Sequence, residues 1–251
     1  MNKIIAIANQ KGGVGKTTTA INLGASLALK NLRVLIVDFD PQGMATVGLG
    51  KTKESGQGIY QAILNGRDVM DCLMATDIGS LFLCGCSPEM AGVEAELYQI
   101  PEREKRLKRA LENVRKLFNF ILIDCPPSLG FLTINALTAA DAILIPVQAE
   151  FFCMEGIPDL FRTFNMVRTY FNPYLYIEGI LLTMFDERTN LARQVANEIK
   201  NSLRGVLLNT IIPRSIRLAE APSFGKPIVL YDPKSKSAEA YMNLAEEIIK
   251  K

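Results

Sequence analysis

Apolar residues recur along this chain in short, nearly unbroken runs, separated by longer segments with helical spacing. Lys3–Ala8 (KIIAIA), Arg33–Asp38 (RVLIVD), Phe120–Asp124 (FILID), Ala142–Val147 (AILIPV) and Ile177–Thr183 (IEGILLT) are five to seven residues long and rich in β-branched side chains. Such runs suit parallel strands buried on both faces. Leu81–Cys84 predicts another strand, and IIPR (211–214) follows one more. Helices are predicted over Thr17–Lys30, where Ile21, Gly24, Ala25 and Ala28 share a face, and over Arg103–Phe118, where Leu107, Ala110, Leu111, Val114 and Phe118 recur beneath seven Lys/Arg. Further helices are expected at 131–140, 158–171 (Pro158 in the first turn), 190–203 and 237–250. Residues 40–80 are Gly-rich and weakly patterned, and carry no firm expectation. Strands alternate with helices, and no linker or repeat interrupts them. The expected fold is α/β: a doubly wound, mainly parallel sheet with helices on both faces, forming a single domain over 1–251.

Composition narrows the chemistry. The chain has 251 residues, 49% hydrophobic, enough for one sizeable core. No stretch of about 18 apolar residues occurs, so no spanning helix is expected. The N-terminus turns polar too soon for a signal peptide. Five scattered cysteines (Cys72, Cys84, Cys86, Cys125, Cys153) favour reduced thiols and a cytoplasmic setting. Histidine is absent. Chemistry must therefore use carboxylates, lysines, hydroxyls or a metal-bound water. Net charge is only +2, which gives no global case for nucleic acid. The charge is uneven, however. From Arg188 to Lys236 nine Lys/Arg face three acids, a local net of +6 that leaves −4 for the remainder. A patch of that kind can bind phosphate backbones without reading sequence.

The first strand runs directly into NQKGGVGKTTT (9–19), which opens the first helix. Glycines let backbone N–H groups close around an anion, and the helix N-terminus adds a favourable dipole. Gly12, Gly13, Val14, Gly15, Lys16, Thr17 and Thr18 are the nucleotide-binding candidates. Lys16 would pair with the β- and γ-phosphates, and the Thr17 hydroxyl would take a site on Mg²⁺. The pattern GxxxxGK(S/T) is not fully met, because its first glycine falls on Gln10. Two further strands end in carboxylates. VDFDPQG carries Asp38 and Asp40, and DCPPS begins with Asp124. Ligands bind at the carboxyl edge of such sheets. No NKxD tetrapeptide for guanine is present.

The loop KGGVGKTT, with its extra lysine, resembles the deviant Walker A loop of the ParA/MinD family of P-loop ATPases. IIPRSIRLAEAPSFGKPIVLYDPKSKSAEAY (211–241) and DERTNLARQV (186–195) resemble its chromosomal ParA, or Soj, group. The resemblance implies ATP with Mg²⁺ and slow hydrolysis in an ATP-dependent homodimer. It implies that Lys11 contacts the partner's nucleotide, that Asp40 positions the attacking water, and that Asp38 lies near the metal's hydration shell. Asp124 would hold the metal through water. Met184 and Pro213 would flank adenine. Arg188 and Arg217 would contact non-specific double-stranded DNA, with Lys200, Arg204 and Arg214 as further candidates. A ParB-type partner would stimulate hydrolysis, on the nucleoid. The family's common DPQGNAT reads DPQGMAT here, so Met44 removes an amide beside the switch. Two alternatives share the loop: a MinD-like membrane switch and a nucleotide-gated scaffold with negligible turnover. The tail SAEAYMNLAEEIIKK carries Glu239, Glu246 and Glu247, which suits a helix packed on its own domain better than one held on lipid.

Overall fold

The structure is a computed structural model, and it describes residues 2–150, 156–186, 188–189, 193–196, 198–199 and 205–251. Eight strands form one sheet: β1 (Lys3–Ile7), β2 (Val34–Asp38), β3 (Leu73–Ala75), β4 (Leu81–Cys84), β5 (Phe120–Asp124), β6 (Ala142–Gln148), β7 (Tyr176–Phe185) and β8 (Leu207–Pro213). Their order is β3-β4-β2-β5-β1-β6-β7-β8. Every neighbouring pair is parallel except β3–β4.

The apolar runs explain the layering. Successive side chains of a strand point to opposite faces. Ile4, Ala6, Leu35, Val37, Ile121 and Ile123 therefore enter one buried cluster. Ile5, Ile7, Val34, Ile36, Phe120 and Leu122 enter another. The first cluster is covered by α3 (Ile59–Asn65), α4 (Val93–Tyr98), α5 (Arg106–Leu111), α6 (Phe131–Ala139) and α7 (Ile157–Tyr170). The second is covered by α1 (Lys16–Ala28) and the C-terminal helix Lys236–Ile249. The doubly wound α/β expectation is thus met. The chain steps from β1 to β2 on one side and reaches β6–β8 on the other, so the sheet reverses direction at β1. A crevice at the carboxyl ends follows from that reversal.

Two expectations are corrected or completed. Arg103–Phe118 is not one helix. It is a 3₁₀ turn (Arg103–Lys105), then α5, then a second 3₁₀ turn (Arg115–Leu117). Asn135 Oδ1 accepts from the Leu107 N–H at 3.2 Å, which starts α5 there. Leu107, Leu111, Val114 and Phe118 are still buried, so the inward face was correct although the backbone was not. Within residues 40–80 the chain forms α2 (Met44–Gly48), α3 and β3. Of the segment 190–203, residues 193–196 and 198–199 are helical. Lys200, Arg204 and Cys153 lie outside the described residues.

The C-terminal helix starts at a Ser235 cap, whose hydroxyl accepts from the Ala238 N–H. Tyr241, Leu244, Ala245 and Ile248 are buried, and the Tyr241 hydroxyl lies 3.4 Å from Thr19 Oγ1 on α1. Among the described residues no helix is long and apolar enough to cross a membrane.

Candidate functional site

The loop between β1 and α1 is shaped by its glycines and tied down by side chains on both flanks. Gly13 (φ 74°) and Gly15 (φ 88°) take left-handed backbone that other residues reach only with strain. Asn9 Nδ2 donates to the Pro146 carbonyl at 2.7 Å, and Asn9 Oδ1 accepts from the Lys11 N–H at 3.0 Å. Thr183 Oγ1 donates to the Val14 carbonyl at 2.8 Å. The Val14 side chain is buried, so this candidate can serve a ligand only through its backbone.

A cavity of about 360 Å³ opens above the loop. Gly12, Gly13, Gly15, Lys16, Thr17 and Thr18 form its floor, as expected. Asp40, Met44, Val47, Pro127 and Met184 line it as well. Lys16 is 6% exposed, and its Nζ donates to the Lys11 carbonyl at 3.2 Å. Burial pulls its pKa down, while the charges of Asp124 and Asp40 oppose that. The Lys11 side chain is not part of this cavity. Its Nζ sits 3.5 Å from Glu150 Oε2, and both side chains are well exposed to solvent.

Three carboxylates gather beside Lys16. Asp38 and Asp124 are paired in register on β2 and β5, and both are completely buried. Asp38 Oδ2 accepts two hydrogen bonds from Thr46, whereas Asp38 Oδ1 and both Asp124 oxygens have no partner among the described residues. Burial lifts the Asp38 carboxyl to about 6, against the two Thr46 hydrogen bonds and with help from the Asp40 charge. Burial also lifts Asp124 well above the carboxylate range, reinforced by the Asp38 charge and opposed by the Thr17 hydroxyl, which lies close by without hydrogen-bond geometry, and by the Lys16 charge. Buried polar groups are nearly always paired. Three orphaned carboxylate oxygens beside a hydroxyl and a lysine form a hard-oxygen donor set, and that set fits a small divalent cation. Asp40 is 7% exposed, with Oδ1 accepting from the Gln42 N–H at 2.9 Å.

The remaining candidates divide between two surfaces. Met184, in left-handed backbone (φ 51°), faces the phosphate cavity. Pro213 pairs with Phe185 and lines a second, wider cavity of about 850 Å³. Arg188, Arg214 and Lys236 line that second cavity too. Arg188 is 88% exposed and sits 2.7 Å from Asp186, whose carboxyl it holds below the usual range. Arg217 lies on the neighbouring helix Ile216–Glu220, 62% exposed and 3.5 Å from Glu220. Asn9, Thr46 and Thr183 were missed from sequence. Asn9 and Thr183 had one signal, a small polar residue at or just past an apolar strand end, and Thr46, inside α2, had none.

Over 249 residues the chain is 53% identical to the sporulation initiation inhibitor protein Soj of Bacillus subtilis (strain 168), covering 99% of this chain and 98% of that protein. The chain belongs to the ParA/Soj family of partitioning ATPases. It is 49% identical to the chromosome partitioning protein ParA of Myxococcus xanthus (strain DK1622), covering all of this chain and 89% of that one. A family model described as an AAA domain matches residues 2–177. Among solved structures, cobyrinic acid a,c-diamide synthase from Mycobacterium smegmatis, with bound ADP and magnesium, superposes with a TM-score of 0.87 at 37% identity. That match covers all of this chain and 95% of the other. Family membership and the P-loop fold thus stand where the sequence placed them.

Proposed function

We propose that this chain is a single-domain, ATP- and Mg²⁺-dependent switch for DNA partitioning, in which two ATP-bound copies close on each other and bind DNA together. One observation carries the reading: beside a lysine-bearing glycine loop lie two in-register buried carboxylates with three orphaned oxygens. Thr17, with Asp38 and Asp124 behind it, would hold Mg²⁺, which supplies charge neutralisation between the β- and γ-phosphates.

The chain's own residues do the rest. Backbone N–H groups of residues 12–18 and the α1 N-terminus cradle the phosphates. Lys16 leaves the Lys11 carbonyl and pairs with the β- and γ-oxygens. Asp40, on the cavity wall, orients a water in line with the γ-phosphorus. The water oxygen bonds to that phosphorus, the bond to the bridging oxygen breaks, and ADP and phosphate leave. The Lys11 side chain does not line its own cavity, and its Nζ lies 3.5 Å from the exposed Glu150, which supports a role for it in contacting a second copy.

DNA contact falls to Arg188, Arg214 and Arg217, with Lys200 and Arg204 in the same basic stretch. Closure of two copies doubles the phosphate contacts and raises affinity through avidity. A ParB-type partner stimulates hydrolysis and the switch acts on the nucleoid in the cytoplasm; family membership supports both statements. A MinD-like hold on lipid is disfavoured, since the apolar face of the C-terminal helix is packed against α1 and β8.

Gel filtration with ATP, with ADP and without nucleotide tests the proposal, using wild type and Asp40→Ala. ATP with Mg²⁺ should give a dimer, and Asp40→Ala should hydrolyse at least about 100-fold more slowly and keep that dimer on DNA. A variant that stays monomeric with ATP and Mg²⁺ would sink the reading.

A further inference from the structure

Thr46 carries no expected role, yet three hydrogen bonds converge on it. It lies in α2 with no exposed surface. Its N–H and its Oγ1 both donate to Asp38 Oδ2, at 2.7 and 2.5 Å. The same Oγ1 accepts from the Cys86 N–H, just past β4, at 2.9 Å. A backbone N–H can only donate, so the hydroxyl proton has one destination, Asp38 Oδ2. That oxygen is committed as an acceptor, and Oδ1 has no partner among the described residues. Gly85 makes room for the arrangement: a Cβ there would lie 3.2 Å from Thr46 Oγ1 and 3.3 Å from its Cγ2.

Thr46 also sits between the phosphate cavity and the Asp40 turn. Its neighbours Met44, Val47 and Gly48 on α2 line the phosphate cavity. The turn that leads into α2 carries Asp40, and the Gly43 N–H closes it on the Asp40 carbonyl at 2.8 Å. One side chain thus joins Asp38 on β2, the end of β4, and the short helix that follows Asp40.

We infer that Thr46 is a positioning residue for hydrolysis. Its hydroxyl holds α2 and the Asp40 turn against Asp38 and commits Oδ2 of that carboxylate, leaving Oδ1 as its unpartnered oxygen among the described residues. Thr46 itself touches neither nucleotide nor metal. The inference rests on the ATPase reading for its kinetic consequence, while the tie itself can be measured in the nucleotide-free protein.

The test uses the full chain as Thr46→Val, which keeps the shape and loses the hydroxyl, and Thr46→Ser, which keeps the hydroxyl. Misplacing a catalytic group costs rate more than binding, so Thr46→Val should lower kcat by about tenfold or more with KM for ATP within about threefold. Thr46→Ser should recover roughly half or more of the wild-type kcat. In the nucleotide-free protein, amide exchange in residues 43–49 and 84–88 should be about tenfold faster in Thr46→Val than in wild type or Thr46→Ser. A Thr46→Val protein with wild-type kcat, at whatever stability, overturns the inference. So does a Thr46→Ser protein as slow as Thr46→Val, or unchanged exchange. If Thr46→Val does not fold, Thr46→Ser decides alone, and a slow Ser variant refutes the role. If wild type hydrolyses no ATP, the proposed function fails, and the exchange comparison still decides the tie.

Discussion

Replacing Asp38 by Asn should stabilise the nucleotide-free protein while impairing its function, and the size of the gain can be worked from the site. Asp38 is buried beside Asp124, with Oδ2 satisfied by Thr46 and Oδ1 orphaned. Its carboxyl is lifted from 3.8 to about 6. A raised carboxyl binds its proton more tightly in the folded chain than in the unfolded one. Between those two values stability therefore falls as pH rises, and the penalty is complete above about pH 7. At ~1.4 kcal/mol for each tenfold change in proton affinity, ionising Asp38 in the folded chain costs at most ~3 kcal/mol. Asn keeps an oxygen for Thr46 and carries no charge into the buried position beside Asp124. Urea denaturation in the presence of chelator should show Asp38→Asn more stable than wild type by ~1–3 kcal/mol at about pH 8. The gain should fall to about half at pH 5 and become small by about pH 4. No gain at about pH 8, or a gain of equal size at every pH, would refute the account of the carboxylate pair.

Other outcomes follow from the same geometry. Lys16→Ala should weaken ATP binding by roughly 100-fold or more in calorimetry, since charged hydrogen bonds to two phosphates are lost. Arg188→Ala with Arg217→Ala should leave the ATP dimer intact but flatten the salt dependence of DNA binding, lowering the log–log slope by about 3–4 if four phosphate contacts per dimer disappear. Gly58→Ala should destabilise by ~2 kcal/mol or more in thermal melts, because its Cβ would stand 2.1 Å from the Gly85 carbonyl oxygen at φ +75°.

Much of the architecture could be read from the chain because its strands are unusually explicit. A parallel strand buried on both faces has no polar side, so its apolar run is continuous. β1, β2, β5, β6 and β7 were all expected within two residues of their observed ends. The short element β3 escaped because LMA has no run to read, and it lies antiparallel at the sheet edge. The Arg103–Phe118 stretch shows the reverse limit. Helical spacing fixed which side chains face inward, but Asn135, a partner from a distant helix, decided where the helix starts.

By itself the sequence determined the phosphate loop, the inventory of carboxylates at strand ends and, through its motifs, the family. Those features are local: left-handed backbone in a tight loop calls for glycine wherever the loop lies, and an aspartate after an apolar strand ends at a sheet edge. Only the tertiary structure decided that Asp38 and Asp124 stand in register as one buried pair, that Thr46 spends its hydroxyl on one oxygen of that pair, and that Lys11 turns outward while Lys16 turns in. The first two relations join residues far apart in the chain, and their energies come from burial and hydrogen bonding that exist only once β2, β4 and β5 lie side by side.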